Sequence, residues 1–276
     1  MDEELPTQVE QICASFTHAL NNTSEDLLEG LYLRGSLAWG EFFDSSDVDF
    51  TAVLTRRPGR HDLEALEAAH TQIWFEFPDH DFDGHHVLLE DLRGAPSQCP
   101  DVPCAHAGTF RPAARQDVNP VAWAELAERG IRVAGRDPRV LGIDHDRQRL
   151  WEFTRDNLAS YWGRTARELK LGWMVAGRND DSVAWCVLGA GRLHHLLATG
   201  RMTSKSGAGR YVANSLDARW RDLGLEALRI RERPDEPSRY RSQARRGKDV
   251  RDFVAWCVSD GARIAQESPQ WKDRHG

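Results

Sequence analysis

The order of apolar and polar positions divides the chain into a first half of mixed period and a second half that is almost wholly helical. Residues 5–20 carry Val9, Ile12, Cys13, Phe16 and Leu20 at helical spacing and stop near Asn21-Asn22, so a helix comes first. Leu31-Tyr32-Leu33 predicts a short strand running into Gly35-Ser36, and "DVDFTAVL" a second strand in which Val48 and Phe50 alternate with Asp47 and Asp49. "HDLEALEAAHTQIW" returns to helical spacing through Leu63, Leu66, Ala69 and Ile73, and "DFDGHHVLL" predicts a third strand. "APSQCPDVPCAHAG" reads as a proline-rich loop. "PVAWAELAERGIRVAG" follows as a Pro-started helix with a short extended segment, and "RDPRVLGIDHD" as a linker.

Beyond the linker, Leu150, Phe153, Leu158, Tyr161 and Trp162 mark one helix. Val183, Val187, Leu188, Leu193 and Leu197 mark a second, and Phe253, Trp256, Cys257 and Ile264 a third. The expected organisation is α+β: a small α/β domain over residues 1–142, then an all-α helical bundle over residues 143–276. The arginine-rich "RERPDEPSRYRSQARRG" is expected to be a solvated loop and helix start.

Charge narrows the partners. With 36 basic against 43 acidic side chains the net charge is −7, which argues against a nucleic-acid backbone and suits a small cation. No apolar run approaches the roughly 18–20 residues that span a bilayer, and "MDEELPTQVE" has no secretory pattern, so no membrane partner and a cytoplasmic location are expected. Five scattered cysteines fit a reducing compartment. Cys99, Cys104 and His106, with His85 and His86, match no common zinc spacing and read as ordinary loop cysteines and surface histidines. His194-His195 falls on an amphipathic helix, as packed or solvated rings.

One stretch carries chemistry: "RGSLAWGEFFDSSDVDF", residues 34–50. In a strand Asp47 and Asp49 project from one face, where two carboxylates repel unless a divalent cation neutralises them. Mg²⁺ takes such oxygens and leaves room for substrate phosphates. Upstream, Gly35 allows close backbone approach, Ser36 offers a hydroxyl, and a helical "SLAWGEF" would aim free N–H groups at an anion.

Gly35-Ser36, Gly40, Ser46-Asp47 and Asp49, in that order between two strands, resemble the signature of the nucleotidyltransferase superfold shared with DNA polymerase beta. "LYLRGSLAWGEFFDSSDVDFTAVL", "NPVAWAELAERGIRVAG" and "AWCVLGAGRLHHLLATGRMTSKSGAGRYV" together resemble the aminoglycoside 3″-adenylyltransferases, the streptomycin and spectinomycin resistance enzymes, from about residue 28 to 230. The resemblance implies a nucleotidyltransferase domain followed by a helical domain. It also implies ATP as co-substrate, two Mg²⁺ ions, and transfer of AMP to a hydroxyl of an aminoglycoside-like cation with release of pyrophosphate.

Residue by residue, the resemblance makes Asp47 and Asp49 the metal-binding pair. Asp83 becomes the third carboxylate of the metal site and the base on the acceptor hydroxyl, with Asp81 and Glu76 as alternatives. Gly35, Ser36 and Ser46 fall near the triphosphate, Arg192 and Lys205 match phosphate contacts, and Arg231 stands where the family has a nucleotide-contacting Tyr. Trp173 matches a drug-contacting aromatic; its acidic partner falls nearer Arg178, with Asp180 beyond it and Asp181 as the candidate. Two other readings remain: the same transfer to a protein, tRNA or different natural product, or a nucleotide-binding regulator without transfer.

Overall fold

A computed structural model of the chain describes residues 5–43 and 46–267. The chain forms two compact units, Met1–Asp146 and Arg147–Gly276. The first is built on a six-stranded mixed sheet of order β5-β4-β3-β2-β1-β6, with β1 at Leu28–Leu33, β2 at Val48–Leu54, β3 at Phe82–Leu88, β4 at Val102–His106, β5 at Thr109–Ala114 and β6 at Ile131–Ala134. Only β2 and β3 are parallel, joined by a helix; the other neighbours are antiparallel.

Strand alternation gives the sheet two unlike faces. Phe50, Ala52, Leu54 and Phe82 point to one, where α1 (Thr7–Thr23) and α3 (Arg60–Glu76) close a core around Phe16, Leu66 and Ile73. Tyr32, Val53 and Val87 point to the other and pack with Trp123 and Leu126 of α5 (Pro120–Arg129). That helix starts as its sequence dictates, with Pro120 in the first turn and Asn119 Oδ1 accepting from the N–H groups of Val121 and Ala122. Short helices α2 (Gly35–Ala38) and α4 (Leu89–Arg93) follow β1 and β3.

The proline-rich segment is a correction. It contains β4, paired to both β3 and β5, and Cys99 and Cys104 are buried. Pro103 lacks an N–H, but its carbonyl accepts from His86 Nδ1 at 3.0 Å, so the strand keeps a use for that residue. His85 and His86 are likewise buried rather than superficial.

The second unit is helical: α6 (Arg147–Asn157), a single π turn at Leu158–Trp162, α7 (Gly163–Ala176), α8 (Asp180–Thr199), α9 (Lys205–Asn214), α10 (Arg221–Glu232) and α11 (Gln243–Glu267). The expected single helix through Trp162 is thus α6 extended into α7 through the π turn. The arginine-rich segment is also corrected at one residue. Arg246, on α11, is buried and bonds Gly177 O, Asp180 and Glu226, because Glu226 on α10 is fully buried and needs counter-charge. Burial pushes the Glu226 carboxyl up, but donors from Ser238, the Arg239 N–H, Arg229 and Arg246 outweigh it and hold it at about 2. No helix among the described residues is long and apolar enough to cross a membrane.

Three imidazoles lie inside the first unit. His70 and His86 face each other at 3.2 Å among Phe16, Phe50 and Phe82, and His85 bonds Thr51 Oγ1 at 3.1 Å. Burial lowers all three, His86 to about 4, with the His86 ring adding to the effect on His70. Below pH about 6.5 the unfolded chain takes up protons that these folded rings refuse, so their contribution is present above that pH and lost as pH falls toward 4. His70→Phe should therefore lose about 1–2 kcal/mol less stability than the parent between pH 7 and pH 5, read as urea midpoints. Equal losses would show that these rings protonate freely in the folded state.

Candidate functional site

The candidate site grows from the junction of β1, β2 and β3. Asp49 and Asp83 are direct neighbours in the parallel β2–β3 ladder, so their side chains leave the same face, about 4.8 Å apart at the backbone. Asp47 shares their parity and is exposed just before β2. Asp81 has the same parity before β3, and its carbonyl accepts from Val48 N at 2.8 Å. Glu76 is elsewhere: it lies on α3, against the opposite face, and accepts from Ser15 Oγ at 2.6 Å.

Gly35 is placed by necessity. It adopts φ +62°, and a Cβ there would stand 1.8 Å from Asp49 Oδ2. The chain enters this turn through Arg34, whose N–H donates to Asp49 O at 2.8 Å while its buried guanidinium bonds Thr51 Oγ1 at 2.8 Å and Phe50 O at 3.1 Å. On the far side, Glu125 of α5 accepts from Gly35 N at 3.1 Å and from the Trp39 indole at 2.7 Å, and Arg129 lies 3.7 Å over the Trp39 ring. These contacts correct the expected helix over "SLAWGEF". Helix α2 is one turn, Gly35–Ala38, and its first N–H is taken by Glu125 rather than left for an anion. The Ser36 hydroxyl is buried and has no hydrogen-bond partner.

The Asp49 carboxyl is pushed up to about 6 by burial, relieved in part by Arg34 and pushed further by Asp117, Glu125 and Asp47. One buried arginine thus faces more acid than it can neutralise, since Asp117 and Glu125 also stand 3.9 and 4.0 Å from it. Asp83 is raised to about 6 as well, by burial first, with Asp81 adding and His106 and the Ala107 N–H opposing. Its carboxylate accepts from His106 Nδ1 at 2.7 Å and from Ala107 N at 3.0 Å. Ser46 is buried, and its hydroxyl accepts from Phe43 N at 3.1 Å.

Among the described residues no three His, Cys, Asp or Glu side chains converge closely enough to hold a metal ion, zinc included. The chemistry of the donors still suits a hard divalent cation. Asp47 and Asp49 share strand parity, and the half-buried Asp49 lacks sufficient positive charge.

The other expected site residues belong to the helical unit. Arg192 lies on α8, and its Nε is buried without a hydrogen-bond partner. Lys205 is the exposed first residue of α9, and Arg231 is half-buried near the end of α10. These three helices pack on one another. Trp173 is half-buried on α7 with the Arg251 guanidinium 5.8 Å from its ring centroid. Asp181 is exposed in the first turn of α8, whereas its neighbour Asp180 is bound to Arg229 and Arg246. The sequence reading missed Arg34, His106, Asp117 and Glu125. Only α5's period offered a signal, for Glu125; the others depend on strand register and loop path.

No family model and no curated protein matches the chain. Among solved structures, the spectinomycin adenyltransferase AAD(9) of Enterococcus faecialis, solved with ATP and spectinomycin, matches with a TM-score of 0.62 at 15% identity. The match covers 89% of this chain and 98% of that one. The chain therefore shares the fold of that adenyltransferase, an N-terminal mixed sheet followed by a helical region.

The raised Asp49 gives a prediction with a definite sign. Its neutral form suits the folded state, so the stability associated with that form is complete below pH about 3.8 and is lost as pH rises through about 6. Asp49→Asn, a permanently neutral mimic, should be more stable than the parent by about 1–3 kcal/mol at pH 8, with the gain shrinking below pH 6. Thermal melts across that range check it; a destabilised variant at pH 8 would contradict the electrostatic account.

Proposed function

We propose that the chain is an ATP- and Mg²⁺-dependent nucleotidyltransferase that transfers AMP to a hydroxyl of an aminoglycoside-like cation and releases pyrophosphate. The observation that carries this reading is the placement of Asp47, Asp49 and Asp83 on one sheet face, with Gly35 pressed against Asp49 and an unpartnered Ser36 hydroxyl in the same turn. Asp47 and Asp49 would hold Mg²⁺, which when bound supplies positive charge to the reacting phosphates. The Ser36 hydroxyl donates to a phosphate oxygen, and Gly35 leaves room for the Asp49 carboxylate beside that turn. Arg192, Lys205 and Arg231 supply further positive charge for the triphosphate. Trp173 and Asp181 are the proposed contacts for the cation, through ring face and carboxylate. Asp83, on the hydroxyl side of the reaction, serves proton removal.

The reading is tested by pyrophosphate release from ATP and Mg²⁺ across a panel of streptomycin, spectinomycin and other aminoglycosides. Release is expected with at least one member. It should fall about 10³-fold or more in Asp47→Asn and Asp49→Asn, whose circular dichroism stays that of the parent. Ser36→Ala should raise KM for ATP about 10- to 150-fold, the worth of one lost hydrogen bond to a charged group. Undiminished release in either Asp variant would refute the mechanism. No release with any drug, despite ATP binding, would turn the search to a protein, tRNA or other natural-product acceptor.

A further inference from the structure

The residue that reaches solvent beside Asp83 is a histidine. In the antiparallel β3–β4 ladder Gly84 faces Ala105 and His85 faces Cys104, so the next pair in register is Asp83 with His106. Their side chains meet on one face, with His106 Nδ1 2.7 Å from Asp83 Oδ2. The side chains differ sharply in exposure, 7% for Asp83 against 49% for His106. The hairpin between β4 and β5 braces the pair. Ala107 and Gly108 both take positive φ, +48° and +67°, and this turn aims the Ala107 N–H at Asp83 Oδ1, 3.0 Å away. A left-handed alanine is strained, and here the conformation delivers a second donor to the same carboxylate.

The Ala107 N–H donates to the same carboxylate, so Asp83 stands as an acceptor toward His106 Nδ1, and the ring nitrogen left free to meet solvent is Nε2. We propose that His106 Nε2, held and polarised by Asp83, is the base that removes the proton from the acceptor hydroxyl; this rests on the nucleotidyl-transfer reading above. As the hydroxyl oxygen bonds to the α-phosphorus, its proton passes to Nε2. The bond from the α-phosphorus to the bridging oxygen breaks, and its electron pair leaves with pyrophosphate. The imidazolium formed is stabilised by the Asp83 carboxylate, which keeps its two protein donors and takes up no proton. Asp83 thereby acts through His106, and the buried carboxylate need not reach the acceptor.

Two substitutions separate this role from its alternatives. Asn places an amide nitrogen where Nδ1 stood and keeps a donor to Asp83, but has no Nε2. His106→Asn should therefore lower kcat about 10²- to 10³-fold with KM for ATP within about twofold of the parent, and His106→Leu should do the same. Retained kcat in the Asn variant with loss in the Leu variant would overturn the proposal, leaving His106 to orient an Asp83 base. Retained kcat in both would deny the pair any role. The pair has a readout that needs no turnover. Long-range ¹H–¹⁵N spectra of the full chain should show His106 with its proton on Nδ1, reverting to Nε2–H in Asp83→Ala. An Nε2–H tautomer in the parent overturns the proposal whether or not an acceptor has been found. A correct tautomer without transfer to any acceptor would instead refute the reading of the site as a transferase.

Discussion

The organisation of the sheet unit depends on one close approach, that of Gly35 to the Asp49 carboxylate. No side chain fits at 35, because a Cβ would overlap Oδ2 at 1.8 Å. The turn is consequently pinned from several sides: Arg34 pairs with the Asp49 carbonyl, Glu125 takes the Gly35 N–H, and Arg129 and Glu125 together hold Trp39. Placing β2 between β1 and β3 then sets the turn on one flank of Asp49 and Asp83 on the other. A carboxylate in this position is poorly solvated and under-compensated, which is costly for folding and useful for binding positive charge.

The helical unit shows the opposite use of buried charge. Glu226 is as buried as any acid in the chain, yet it accepts from Arg229, Arg246, Ser238 and the Arg239 N–H and is held at about 2. Asp180 shares the two arginines, so this network ties α8, α10 and α11 together with its donors matched to acceptors. Asp49 and Asp83 are raised where Glu226 is lowered. The contrast separates a structural ion cluster from one with electrostatic demand left over. It also explains why neighbouring acids in the first turn of α8 differ, Asp180 being spent on the fold and Asp181 exposed.

Legibility in the sequence followed the range of the interactions. The strands flanking Gly35 and Asp49 were readable because their determinants lie within residues 31–54, and the parity of Asp83 was readable from the alternation within its own strand, whereas the turn after β1 takes its form partly from Glu125. The helices were readable from period. What escaped was set by partners distant along the chain. β4 was hidden by prolines whose carbonyls, not N–H groups, serve the structure. The burial of Arg246 required knowing that Glu226 would be its neighbour, and a local charge count of that segment favours solvent. The π turn at Leu158–Trp162 interrupts neither amphipathicity nor propensity, so nothing in the pattern announced it.

Charge and register combine most tightly at Asp83. A carboxylate at the start of a buried parallel strand needs donors, and the β4–β5 hairpin provides two from adjacent residues, one of them exposed to solvent. Had the turn been shorter or its register shifted by one, His106 would face the other side of the sheet and Asp83 would be left without its imidazole. The strained φ at Ala107 is thus coupled to the orientation of Asp83 rather than to hairpin closure alone, since closure needs no particular donor. A hairpin distant in sequence from the Gly-Ser turn therefore fixes the hydrogen bonding of Asp83, and the neighbour that reaches solvent beside it is an imidazole.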